Sequence, residues 1–172
     1  MERPFDPDLL DLLESRQLHR WERTVWRQVF ESTPPLRPNT LGARWSPPGV
    51  EALYCSLGRA AAEAELEYLA GRQPVPIRKR RTLYELDVRL SLVVDLQDLS
   101  ALEPLGFKRS DLLADDDHAL SRHIGDAVFW LECGGLLVPS ARIEATNLVI
   151  FINNQQRDDY VREIPPGDEK AD

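Results

Sequence analysis

The chain has 172 residues, enough for one domain with a real core, and 42% of them are hydrophobic, which argues against wholesale disorder. Lys and Arg number 21 against 29 Asp and Glu, a net charge of −8, which disfavours a general nucleic-acid binder but leaves room for a small anion in a local cationic pocket. Two cysteines outside any C-x-x-C pair, three histidines without zinc-ligand spacing, no signal peptide and no apolar run of membrane-spanning length point to a soluble cytoplasmic protein without a metal site.

Pro7-Asp8 starts an amphipathic helix expected to reach about Arg20, with Leu9, Leu10, Leu12, Leu13 and Leu18 available for burial. Thr24 to Phe30 reads as a strand with Val25, Arg27 and Val29 on one face and Trp26, Gln28 and Phe30 on the other. Pro34-Pro35 and Pro38-Asn39 mark a loop. Pro47-Pro48-Gly49 predicts a type II turn, because proline presets φ and glycine accepts φ > 0. Val50 to Cys55 is a short strand, and Ser56 is the expected N-cap of a helix reaching about Ala70.

Gly71 to Arg81 is a polar, basic loop, followed by strands over Thr82–Val88 and Leu92–Leu96. Pro104 and Gly106 break the pattern of Leu99–Leu113. Asp117 to Cys133 reads as a helix stopped by Gly134-Gly135, then Leu136–Val138 as a short strand ending at Pro139-Ser140. Asn147 to Ile152 is an apolar run that predicts a buried strand. Pro165 to Asp172 is an acidic tail expected to be disordered. Strands and helices mix without regular βαβ alternation, so the fold class is α+β. The domain reading is an N-terminal helical segment packed on the domain over 1–24, one main domain over 25–164 and the tail over 165–172.

Helix spacing puts Leu57, Ala61, Ala64 and Tyr68 on one face, with Glu65 beside it and Glu63 and Glu67 toward solvent. A buried carboxylate needs a partner, so Glu65 is either a structural ion pair, a boundary residue or a functional acid. Arg27, among Val25 and Val29, needs an anion, either Glu65 in a structural salt bridge or a ligand phosphate. Arg44 stands just before the stiff Pro-Pro-Gly turn, which presents it at little entropic loss. Trp45 favours core packing. The Tyr54 hydroxyl suits either a ligand or a backbone partner, and Ser140 either a ligand hydrogen bond or a turn. No Gly-x-Ser-x-Gly elbow accompanies Ser140, so a serine hydrolase is disfavoured. Asn147 helps there or caps a strand end. Arg78-Lys79-Arg80-Arg81 reads as a solvated loop.

Taken together, these segments resemble the RES domain, a family named for an arginine, a glutamate and a serine. Gly42-Ala43-Arg44-Trp45-Ser46-Pro47-Pro48-Gly49 is similar to its Gly-x-Arg-Trp-Asn-Pro-Pro-Gly segment, with Ser46 in place of the common asparagine. Trp26-Arg27, Tyr54-Cys55-Ser56, the helix carrying Glu65, Ile124-Gly125-Asp126 and Gly135 to Ala141 resemble the other pieces in the same order, from about Val25 to Asn154. Gln155-Gln156 stands where many members have Pro-x-His-Pro.

The resemblance implies an ADP-ribosyltransferase-like mixed sheet with flanking helices and the toxin half of a bacterial type II toxin–antitoxin pair that destroys NAD⁺. It assigns Arg27, Glu65 and Ser140 to catalysis and Arg44, Tyr54 and Asn147 to substrate binding. It implies an Xre-like antitoxin partner whose C-terminal segment blocks the cleft. No cofactor is implied: NAD⁺ is substrate, with water or inorganic phosphate as acceptor. Nucleic acid and membrane are not expected partners, and a homo-oligomer stays open. The alternatives are an ADP-ribosyltransferase acting on protein and a non-catalytic nucleotide-binding module.

Overall fold

A computed structural model describes residues 3–72 and 80–167. Helix α1 spans Pro7–Ser15. Asp6 caps it by accepting from Asp8 N at 2.8 Å and Leu9 N at 3.4 Å, and Pro7 opens it where no N–H is needed. It buries Leu9, Leu10 and Leu13. The helix expected to run to Arg20 stops at Ser15, and Leu18 is 39% exposed. Residues 17 onward instead form β1, Gln17–Phe30, paired along its length with β3, Arg81–Asp95. This long-range pairing overrides local helix propensity, so the helical part of the N-terminal segment ends well before residue 24.

The two strands expected in residues 82–96 are one, because Leu86, Val88 and Leu90 carry the buried alternation across Arg89–Ser91. Strand β2 is Ala52–Ser56, so Ser56 ends a strand rather than capping helix α2, Arg59–Arg72. A 3-10 segment, Leu99–Leu105, and the short helix α3, Arg109–Leu112, lead to α4, Ala119–Trp130. Helix α4 ends four residues before Gly134, and the left-handed residue after it is Glu132, φ 61°. Gly134-Gly135 therefore do not stop the helix. A Cβ on Gly135 would sit 2.8 Å from Leu90 Cδ1 and 3.2 Å from Leu148 Cδ1 and Val93 Cγ2, so a larger residue at the start of β4, Gly135–Pro139, would have to push those side chains aside. Strands β5, Thr146–Phe151, and β6, Tyr160–Glu163, complete the fold.

Strand β3 pairs with β1 on one side and with β4 and β6 on the other; β1–β2, β2–β5 and β5–β4 close the circuit. Only β3–β4 is parallel among the described strands. The result is a single mixed α+β domain. Strands β4 and β5 are buried on both faces: Leu136, Val138, Val149 and Phe151 pack with α1, α4 and the 3-10 segment, while Leu137, Leu148 and Ile150 pack with Val25, Leu86 and Val88. No helix among the described residues is long and apolar enough to cross a membrane. Most of the basic loop of residues 71–81, and residues 168–172 of the tail, lie outside the described residues.

Candidate active site

Strands β1 and β2 share a single register pair, Trp26↔Ser56. At that junction lies a cavity of about 390 Å³, walled by β1, β2, α2, the 43–45 loop and the ends of β4 and β5. Such a volume suits a small-molecule ligand. Arg27, Arg44, Tyr54, Glu65 and Asn147, all expected from sequence, line it.

The type II turn forms as expected: Gly49 has φ 91° and Val50 N donates to Pro47 O at 3.3 Å. Trp45 is 2% exposed and packs in the core. The Tyr54 hydroxyl accepts from Trp45 N at 3.1 Å and shares a proton with Ser46 Oγ at 2.8 Å, so it clamps this loop to β2. Burial, opposed by those bonds, raises the phenol's pKa, and it stays protonated at neutral pH. Arg122 Nε holds the same loop through Ala43 O at 2.8 Å. A Cβ on Gly125 would overlap the Trp45 carbonyl oxygen, with the carbonyl carbon at 2.6 Å, so α4 reaches the loop only as glycine.

The buried Arg27 guanidinium does not find the expected anion. It donates to three backbone carbonyls, Pro35 at 2.8 Å, Tyr54 at 3.0 Å and Arg37 at 3.1 Å. Those bonds fasten the 35–37 loop to β1 and β2, and no carboxylate among the described residues pairs with the charge. Burial pulls its pKa down, yet it remains cationic. Arg44 donates to Ala114 O at 2.6 Å and Leu112 O at 3.4 Å and pairs with Asp115 at 3.2 Å. Burial lowers its pKa, and Asp115 opposes that most strongly.

Glu65 projects inward from α2 while Glu63 and Glu67 are exposed, as expected. Among the described side chains of that helix Ala62 is buried and Ala64 is exposed, so the inner face is turned slightly from the expected one. Glu65 is 15% exposed and pairs with Arg142 at 3.5 Å. Asn147 Oδ1 accepts from Ser56 Oγ at 3.4 Å across β2–β5. Ser140 does not line the cavity. Its Oγ accepts from Arg142 N at 3.2 Å and Ile143 N at 3.3 Å, so its hydroxyl fixes the loop that presents Arg142.

Sequence reasoning missed Arg142, Arg81, Gln28 and His118, all of which line the cavity. Arg81 sits opposite Phe30 at the start of β3, its guanidinium carbon 4.3 Å from that ring's centroid. Arg81 Nε, Gln28 Oε1 and His118 Nε2 are buried with no hydrogen-bond partner among the described residues. Burial, and then Arg44 and Arg122, lower the His118 pKa, so its ring is neutral at pH 7. Four arginines and one carboxylate thus converge in a chain of net charge −8. Local cationic focusing of this kind attracts a polyanion.

The sequence matches the RES domain over residues 17–170. The chain belongs to the RES domain family. It is 27% identical over 145 residues to the NAD(+) phosphorylase MbcT of Mycobacterium bovis and to that of Mycobacterium tuberculosis, covering 80% of this chain and 77% of each relative. The crystal structure of the M. tuberculosis MbcT–MbcA toxin–antitoxin complex has the same fold, with TM-score 0.77 over 93% of this chain and 91% of that one at 24% identity.

Proposed function

We propose that this RES domain breaks the nicotinamide–ribose bond of NAD⁺ and passes the ADP-ribosyl group to inorganic phosphate. The observation that carries the reading is the cavity itself: four arginines around one shielded carboxylate, on a chain whose overall charge is acidic. The named activity of the MbcT relatives supports phosphate as acceptor over water.

In this reading the C1′–N bond breaks with its electron pair going to the nicotinamide nitrogen, so nicotinamide leaves neutral. A phosphate oxygen then bonds to C1′, giving ADP-ribose 1″-phosphate. The Glu65 carboxylate faces the positive charge that develops on the sugar, in a site where limited water makes the attraction strong. The uncompensated Arg27 charge and the Arg44 wall favour the dinucleotide's phosphates. Asn147 and His118 supply hydrogen bonds to neutral parts of the substrate. The strand circuit around this cleft is read as ADP-ribosyltransferase-like, and the chain as a cytoplasmic toxin whose Xre-like antitoxin covers the cavity mouth.

Purified protein incubated with NAD⁺, with and without phosphate, tests the reading through its products. Nicotinamide with ADP-ribose 1″-phosphate is the expected pair, formed only when phosphate is present. Free ADP-ribose at the same rate in both arms would make water the acceptor. Labelled ADP-ribose on protein would replace the reading with protein modification.

A further inference from the structure

We propose that Arg81 and Arg142 form the phosphate subsite of this cavity, holding inorganic phosphate beside Glu65. The inference rests on the NAD⁺ reading for the identity of the reaction, but the subsite itself follows from counting which donors the protein has already used.

Arg27 has three of its five N–H donors on backbone carbonyls, and Arg44 has two carbonyls and the Asp115 carboxylate. Both are committed to holding loops. Among the described residues neither Arg81 nor Arg142 holds a loop carbonyl through its side chain. The buried Arg81 Nε has no acceptor among the described residues, and the Phe30 ring beneath the guanidinium attracts its charge without replacing a hydrogen bond to oxygen. Arg142 has one ion pair among the described residues, to Glu65, 3.5 Å long where a strong charge-assisted bond is about 2.7–2.9 Å, and its guanidinium carbon lies 5.7 Å from the Tyr68 ring centroid, a contact that uses no N–H donor on oxygen. Its side chain is 36% exposed, free to turn toward a ligand, while Ser140 holds its backbone in place.

The two cations also sense one another: after burial, Arg142 is the main influence lowering the Arg81 pKa. A phosphate between them removes that repulsion and supplies the acceptor that Arg81 lacks. Gln28 separates inorganic phosphate from the pyrophosphate of a dinucleotide. Its buried Oε1 is an acceptor without a donor among the described residues, and it shares the β1 face with Phe30, over which Arg81 lies. Inorganic phosphate at neutral pH keeps a P–OH to donate there; a dinucleotide's pyrophosphate has none.

The test varies NAD⁺ and phosphate independently for the wild type, Arg81→Gln and Arg142→Gln, with Arg81→Lys as a milder variant that keeps charge but loses the fork. Each glutamine variant should raise the KM for phosphate about tenfold or more while the KM for NAD⁺ stays within about threefold, the loss of one bidentate partner. A raised KM for NAD⁺ with an unchanged KM for phosphate would assign these arginines to the pyrophosphate and overturn the inference. Calorimetric titration of phosphate alone reads the subsite without turnover. Binding to the wild type that weakens in both variants supports the inference even if no NAD⁺ is cleaved, in which case the cleavage reading alone falls. Equal phosphate affinity in all the chains, or none in the wild type, would overturn it.

Discussion

Replacing Tyr54 by phenylalanine separates a loop-clamping hydroxyl from a substrate-binding one. The hydroxyl holds Trp45 N at 3.1 Å and Ser46 Oγ at 2.8 Å, and both residues are essentially inaccessible, at 2% and 0% exposure. Water cannot easily replace the lost partner. An ordinary hydrogen bond contributes about 1 kcal/mol net, and a buried donor left unmade costs about 1–3 kcal/mol. Two bonds lost, with the Trp45 amide orphaned, should destabilise the domain by about 2 kcal/mol, or roughly 4–8 °C in Tm at this chain length. Ser46→Ala removes one of the two bonds and should cost about 1 kcal/mol. Because the residues share a bond, the double variant should cost less than the sum. The assay is thermal and urea unfolding of the four chains in a cycle. An unchanged Tm in Tyr54→Phe, or strict additivity with Ser46→Ala, would refute the clamp and return the hydroxyl to the ligand.

Gly125→Ala should lower stability by roughly 1–3 kcal/mol, since the new methyl meets Trp45 backbone; in an open helix the same change would stabilise by up to about 1 kcal/mol, so the sign decides. Ser140→Ala removes the acceptor for Arg142 N and Ile143 N; it should weaken phosphate use with NAD⁺ affinity retained, whereas loss of the chemical step at saturating phosphate would restore Ser140 to the reacting centre. The buried Cys55 thiol is pushed up to about 12 from 9.0. Both states keep the proton below pH 9. Above it the unfolded chain ionises first, so stability falls as pH rises toward 12, by up to about 4 kcal/mol. Cys55→Ala should flatten that slope in urea midpoints measured from pH 8 to 10.5; an unchanged slope would contradict the assignment.

What was legible in the sequence was local. Pro47-Pro48-Gly49 fixes its own turn because proline and glycine limit φ without help from distant residues. Period two at Val25–Val29 reports a face that the core confirms, while period 3.6 around Glu65 places that carboxylate inward but misplaces the rest of the face, since Ala62 is buried and Ala64 exposed. What escaped depended on pairings between distant segments. Leu18 looks helical until β3 offers its edge to residues 17–30. Arg81 looks like the end of a solvated basic run, and only the Phe30↔Arg81 register turns it into a cavity wall. Arg142 sits in an aperiodic loop that carries no pattern to read. Arg27 advertised a missing anion, but backbone carbonyls from three residues answer it, which no spacing rule foretells.

The most direct measurement follows nicotinamide and the ADP-ribosyl product by NMR as the wild type and Glu65→Gln act on NAD⁺ in phosphate buffer, with a thermal melt on each. Cleavage by the wild type, and a loss of at least about a hundredfold in a Glu65→Gln chain that melts as the wild type does, is the predicted result. Full cleavage by the folded variant, or an inert wild type, would contradict the assignment of this arginine-lined hollow to NAD⁺ breakdown through Glu65.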